Sequence, residues 1–231
     1  MLDTYTMILW AKANENKIDV QTKQVFDILS VLRKVPYLNP KYLTAGKKKD
    51  ITEFELTLDN IEKLILKKRD RQFEELGSRI SFFTSLDDSE AAGISINIGV
   101  SKAKFQNTIV IDLNSDYKNQ AIENFDELSE IFKELVVVFN PFYGCITSRS
   151  NRNMFDTYYN KTNNSPTSIF DINFWGEQIV NNLPISKIQE KVYECVKMSR
   201  GYYIRLQKEP IDVWDKKHVK LQKDINYLLG I

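Results

Sequence analysis

Between Ser78 and Leu113 the chain can bury its apolar residues most simply as three successive strands, over Arg79–Thr84, Gly93–Val100 and Thr108–Leu113. Ile94, Ile96 and Ile98 alternate with Ser95 and Asn97. That period of two puts every isoleucine on one face of a strand, whereas a helix would scatter them around its axis. Ile109 and Ile111 repeat the pattern around Val110, so the third segment has apolar residues facing both ways. The link between the first two segments, Leu86-Asp87-Asp88-Ser89-Glu90, is an acidic turn that no core would accept unpaired. The middle of the chain therefore reads as an antiparallel sheet.

The flanking segments supply more strands and the helices that cover them. Tyr5–Lys12 places Tyr5, Met7 and Leu9 on one face and Ile8 and Trp10 on the other, which reads as a first strand covered on both sides. Val25, Ile28, Leu29 and Leu32 recur at helical spacing after Asp19, read as that helix's cap, and Pro36 and Pro40 follow its end. A loop with Gly46 comes next. Asp59-Asn60-Ile61-Glu62 reads as a capping box with Asp59 as the cap, and Gly77 as the turn into the central strands. Asn119–Asp126 leads into the strongest helix, where Leu128, Ile131, Phe132, Leu135 and Val136 form one stripe and Pro141 stops it. Cys145–Thr147 reads as a short strand, and Ser148–Ser168 as a long polar loop. Ile172, Trp175, Ile179 and Leu183 are spaced for a helix over Ile172–Leu183. Two strands are expected over Lys187–Met198 and Gly201–Gln207, then a closing helix from Asp212 to a C-cap at Gly230. The expected architecture is α+β: a single domain over residues 1–231, with a mostly antiparallel or mixed sheet packed by helices.

Charge and composition exclude several functions. Thirty-two Lys and Arg nearly cancel 31 Asp and Glu, leaving +1, which argues against general nucleic-acid or anionic-membrane binding. The basic clusters Lys47-Lys48-Lys49 and Lys67-Lys68-Arg69 with Arg71 read as solvated charge, since acidic residues interleave the second and no stacking aromatics accompany either. Cys145 and Cys195 are too few for a disulfide framework or a zinc site, and whether they pair is open at this level. The N-terminus lacks a basic secretory signal and the longest apolar run, Leu135–Phe139, cannot span a bilayer, so the expected location is cytoplasmic. Neither a phosphate-cradling glycine loop nor a metal-binding histidine pair is present. The lone His218 shares a helix face with apolar residues, which suits a structural histidine better than a base. No catalytic residue, cofactor or metal is assigned.

What remains points to binding. Asp87, Asp88 and Glu90 offer negative charge to a basic partner, where complementarity raises association rate and specificity. The long loop supplies Arg149, Arg152, Phe155, Tyr158 and Tyr159, and Tyr and Arg are enriched at interface hot spots. Asp87, Asp88, Glu90, Arg152, Tyr158 and Tyr159 are therefore the candidate partner-binding residues.

A sparse set of positions along nearly the whole chain carries a family resemblance. They are Met7–Trp10, Leu29-x-x-Leu32 with Pro36 and Pro40, Leu76-Gly77, Gly99, Asn107 and Phe139-x-Pro141, then Ser148, Phe174-Trp175, Leu183-Pro184, Gly201 and the segment from His218 to Gly230. In these the chain resembles, as a distant member, the bacterial immunity protein 52 family of polymorphic toxin systems. The resemblance implies a non-catalytic protein that binds and neutralises a cognate toxin, typically a nuclease, with no active site to carry over. The alternative on the same scaffold is a protein-binding regulator of a phage-defence or counter-defence effector. Oligomeric state is not legible.

Overall fold

The computed structural model describes residues 4–14, 17–44, 51–88, 90–113, 124–155, 157–161 and 165–231. The Lys47-Lys48-Lys49 cluster with Gly46, Ser89, most of the Asn119–Asp126 lead-in and part of the Ser148–Ser168 loop lie outside the described residues.

One ten-stranded sheet carries the architecture. In chain order its strands are β1 (Tyr5–Lys12), β2 (Tyr42–Leu43), β3 (Thr52–Glu53), β4 (Ser78–Phe83), β5 (Gly93–Ile98), β6 (Gln106–Leu113), β7 (Tyr143–Ser148), β10 (Ile172–Gly176), β11 (Glu194–Met198) and β12 (Gly201–Arg205). A separate ribbon pairs β8 (Tyr159–Asn160) with β9 (Ser165–Pro166). Across the large sheet the order is β11-β12-β10-β7-β1-β6-β5-β4-β2-β3, and every pairing is antiparallel. The α+β expectation is met. The first strand lies near the centre, with Tyr5 opposite Leu113 on one side and Ser148 on the other.

Three helices cover one face: α1 (Ile18–Leu32), α2 (Leu58–Lys68) and α3 (Phe125–Phe139). Met7 and Leu9, Ile94 and Ile96, Ile109 and Ile111, and Phe174 and Tyr203 meet the apolar stripes of these helices in one continuous core. Gly144 shows how close α3 comes, because a Cβ there would sit 3.0 Å from the Phe132 ring. Ser129 Oγ and Tyr203 Oη lie 2.6 Å apart, and Arg205 reaches Asp126 at 2.6 Å. These contacts pin α3 over the outer strands.

The other face is covered only in part. Trp175, Tyr143, Cys145 and Ile204 pack there beneath α6 (Lys216–Leu229) and the 3-10 turn at Ile185–Lys187. Buried Gln222 and Asn226 of α6 bond to Ser168 and to the backbone of Ile169, fastening the helix to the chain before β10. Beyond β1, toward β4, this face has no such cover among the described residues, and Ser81, Ser95, Asn97 and Thr108 alternate with the buried isoleucines.

Several local expectations are corrected. Ile172–Leu183 is not one helix: Ile172–Gly176 is strand β10, followed by the single turn α5 (Glu177–Val180). Its residues are apolar on both sides because both sides are covered, and Asn173 accepts from Phe170 N–H and donates to Phe170 C=O. The Lys187–Met198 strand shrinks to Glu194–Met198, since Ile185, Ile188 and Val192 are buried at turn spacing. Asp19 sits inside the first turn of α1, whose N-cap is Lys17 with no side-chain bond. Thr57, not Asp59, caps α2 by accepting from Asn60 N–H at 3.2 Å. The closing helix begins after Asp215, which accepts from Lys217 N–H, and it ends at Gly230 in the left-handed region as expected. Gly77 also takes a positive φ of 75°, and a Cβ there would collide with Ile98 O at 2.3 Å.

Candidate functional site

The site lies on the partly covered face, where the cover stops. In register, Thr147, Thr6, Asp112, Gly93 and Phe83 form one row across β7, β1, β6, β5 and β4. Directly opposed residues point to the same side of a sheet, so this row is the floor of a groove of 630 Å³. Thr6 donates to Asp112 Oδ1 at 2.9 Å. Asp88 of the β4–β5 turn forms one wall, and Arg149, Arg152 and Tyr158 form the other.

Both walls follow from local sequence. The acidic turn projects because Ser85 Oγ accepts from Asp87 N–H at 3.1 Å while Asp87, Asp88 and Glu90 stay exposed. The opposite wall is the single-turn helix α4 (Arg149–Arg152), capped by Ser148 Oγ accepting from Asn151 N–H at 3.1 Å. Arg152 stacks on Tyr158, its guanidinium 5.4 Å from the ring centroid. Burial is the main cause that pushes the Tyr158 phenol up to about 12, so it is neutral at ordinary pH.

Beneath α4 lies a buried carboxylate that the sequence reading missed. Asp171 Oδ1 accepts from Ile211 N–H at 2.5 Å, and Oδ2 accepts from Asn151 Nδ2 at 3.4 Å. Desolvation outweighs those bonds and raises Asp171 from 3.8 to about 6. An aspartate between Phe170 and Ile172, in an otherwise apolar run, was the available signal, since a charge is tolerated in such a run only when bonded.

Of the six candidate residues, Asp88, Arg152 and Tyr158 line one groove. Asp87 and Glu90 sit beside it on the turn, whereas Tyr159 is not a surface anchor. Its ring is only 7% exposed and packs against Trp10, Phe142 and Tyr143. Tyr158, just before that short strand, also touches the Trp10 ring but stays half-buried and lines the groove, which Tyr159 does not. Arg149 and Asp112 join the site. A 690 Å³ cleft at the β2–β3 edge contains none of the candidates.

The groups weighed for chemistry have structural surroundings. His218 Nδ1 accepts from Asp212 N–H at 3.0 Å, bracing the entry to α6. Cys145 and Cys195 are free thiols, and burial pushes the Cys145 thiol up to about 12, far from a reactive thiolate. Among the described residues no cluster of His, Cys, Asp or Glu could hold a metal ion, and no helix is long and apolar enough to cross a membrane.

Comparison with known proteins bears on this geometry. The family described as Immunity protein 52 matches residues 3–230. No curated protein sequence matches significantly. Among solved structures, the Pseudomonas aeruginosa T6SS protein PA0821 superposes with a TM-score of 0.64 at 12% identity, over 99% of this chain and 72% of its own. At that identity the likeness is one of fold.

Proposed function

The chain belongs to the immunity protein 52 family, and on that premise we propose that it is a non-catalytic inhibitor that neutralises a cognate bacterial toxin by stoichiometric binding. The toxin on this reading is a nuclease, and the inhibitor acts in the cytoplasm, as one unit. The fold shared with a T6SS protein suits a toxin-delivery setting. The observation that carries the reading to a surface is the groove, which gathers an acidic wall, two arginines and a half-buried tyrosine on one partly covered sheet face. Charge complementarity would speed and orient docking, and the Arg152–Tyr158 pair is of the type that anchors an interface.

The test is affinity capture from the native host, followed by titration of the captured enzyme with the purified chain. The expected result is one toxin-like enzyme in equimolar amount, silenced at a one-to-one ratio. Exchanging Asp87 and Asp88 for lysine should then slow association by about tenfold or more at low salt and flatten its salt dependence. Recovery of a large defence or signalling protein with no inhibited enzyme would sink the immunity reading in favour of a regulator.

A further inference from the structure

Arg149 and Arg152 stand three residues apart on the single turn of α4, and both line the groove. That turn is held unusually firmly for its length. Ser148 caps it, Arg149 N–H donates to Thr4 C=O at 2.7 Å, and Asn151 is tied to buried Asp171. Tyr158 supports the Arg152 guanidinium from one face. Yet neither arginine has a carboxylate partner among the described residues, whereas Arg205 of the core meets Asp126 at 2.6 Å. A guanidinium already stacked, as that of Arg152 is, on a turn whose backbone is held loses little further freedom on binding, which is what a receptor site requires.

We propose that Arg149 and Arg152 together receive a side-chain carboxylate, an Asp or Glu on a segment that the partner inserts into the groove. The assignment rests on the groove being the toxin-docking surface and names what that surface reads. A planar guanidinium matches a carboxylate through paired N–H donors, and two of them three residues apart can share one acid. The facing wall decides against a multiply charged anion. Asp88 and Asp112 line the same groove, with Asp87 and Glu90 on the adjoining turn, so a phosphate would meet repulsion there. A segment with an acidic residue toward the arginines and a basic one toward the acidic turn matches the sign of charge on both walls.

The inference can be tested without the toxin. Arginine Nε–Hε resonances of the whole protein are followed by NMR while acetyl-Lys-Gly-Gly-Glu-amide is added at fixed ionic strength. The Glu-to-Gln peptide and inorganic phosphate serve as comparators. The expected result is a joint shift of the Arg149 and Arg152 signals on one isotherm, about tenfold weaker with the Gln peptide. R149A or R152A should weaken binding by a similar factor, and R149K, which keeps charge but not the fork, should recover only part of it. Circular dichroism of each variant checks that the fold is intact. Equal binding of the Gln peptide, tighter binding of phosphate, or no arginine shift with either peptide would overturn the receptor assignment. Those outcomes leave toxin neutralisation standing. Conversely, peptide recognition with no inhibited toxin leaves the receptor and removes the neutralisation reading.

Discussion

Strands β5 and β10 are both short and mostly apolar, yet they are buried in opposite ways. In β5, Ile94, Ile96 and Ile98 lie in the core and the intervening Ser95 and Asn97 are only half-buried. In β10 every residue from Ile172 to Gly176 is buried. The difference is not in the strands but in what covers them. Helices α1, α2 and α3 cover one face along the sheet, while among the described residues α6 and the chain around Ile169 cover the second face over β7, β10 and β12, with Trp10 of β1 packed at the margin. The singly covered half exposes a polar surface, and the groove forms where the second layer ends. A binding site at such a step has a rigid floor of paired strands and a wall supplied by the chain that ends the layer.

The largest effect expected from this comparison is in unfolding free energy. Truncating Phe174 and Trp175, neighbours on opposite faces of β10, should each cost about 3–5 kcal/mol, because each leaves a cavity in a filled layer. On β5 the same paired experiment should split. Ile96→Ala costs about 2–5 kcal/mol, and Ser95→Ala stays within about 0.5 kcal/mol. Urea unfolding of the four variants would measure this, and a Trp175→Ala cost as small as that of Ser95→Ala would show that the second layer is not packed.

The same half holds a charge under its cover, and pH should reveal it. Asp171 has its folded value raised from 3.8 to about 6, so between those values the native state binds more protons than the unfolded chain. Stability contributed by this group is therefore greatest below about pH 4, falls as pH rises through 6, and is flat above. At about 1.4 kcal/mol per pH unit the span is ~3 kcal/mol. Asp171→Asn should abolish that share of the slope. The new amide keeps an acceptor for Ile211 N–H, and the Oδ1 of Asn151, buried with no partner among the described residues, can turn to accept from it. Unfolding curves of both proteins from pH 4 to 7 would test this, and parallel profiles would overturn it.

The two halves also differ in legibility. Strands β1, β4, β5 and β6 were readable because alternation records a single buried face or, in β1, because both faces are filled by a run bounded by polar residues. Helices α1 and α3 were readable from their stripes. In β10 the record is ambiguous: Ile172, Trp175 and Ile179 fit a helix as well, and only the tertiary cover decides. The groove shows the same limit. Asp88, Arg152 and Tyr158 were identifiable by residue type, but their meeting across one row of strands depends on the register of β1 with β6 and β7. Tyr158 and Tyr159 were indistinguishable until tertiary packing buried the second and left the first half-buried at the groove, and Asp171 drew no notice because its partners lie 20 and 40 residues away.

The smallest effect separates the halves at their helix caps. Thr57 caps α2 over the singly covered half, and Ser148 caps α4 at the step; both accept an amide of the first turn, at 3.2 and 3.1 Å. Loss of a cap costs about 0.5–2 kcal/mol, so composition alone predicts equal effects for Thr57→Ala and Ser148→Ala. Their surroundings do not. Helix α2 has eleven residues and buries Ile61 and Ile65, which hold it with or without its cap. Helix α4 has four residues, and Ser148 is buried, where the freed Asn151 amide has no water to turn to. Ser148→Ala should therefore lie toward the upper end of that range, Thr57→Ala toward the lower, as read by urea unfolding. Hydrogen exchange at Asn151 should rise in the first variant with no change across α2. Since α4 carries Arg149 and Arg152, the same substitution should weaken groove binding without touching a guanidinium, an effect that Thr57→Ala cannot have. Equal costs and unchanged binding would mean that the arginines are held by Asn151 and Tyr158 alone.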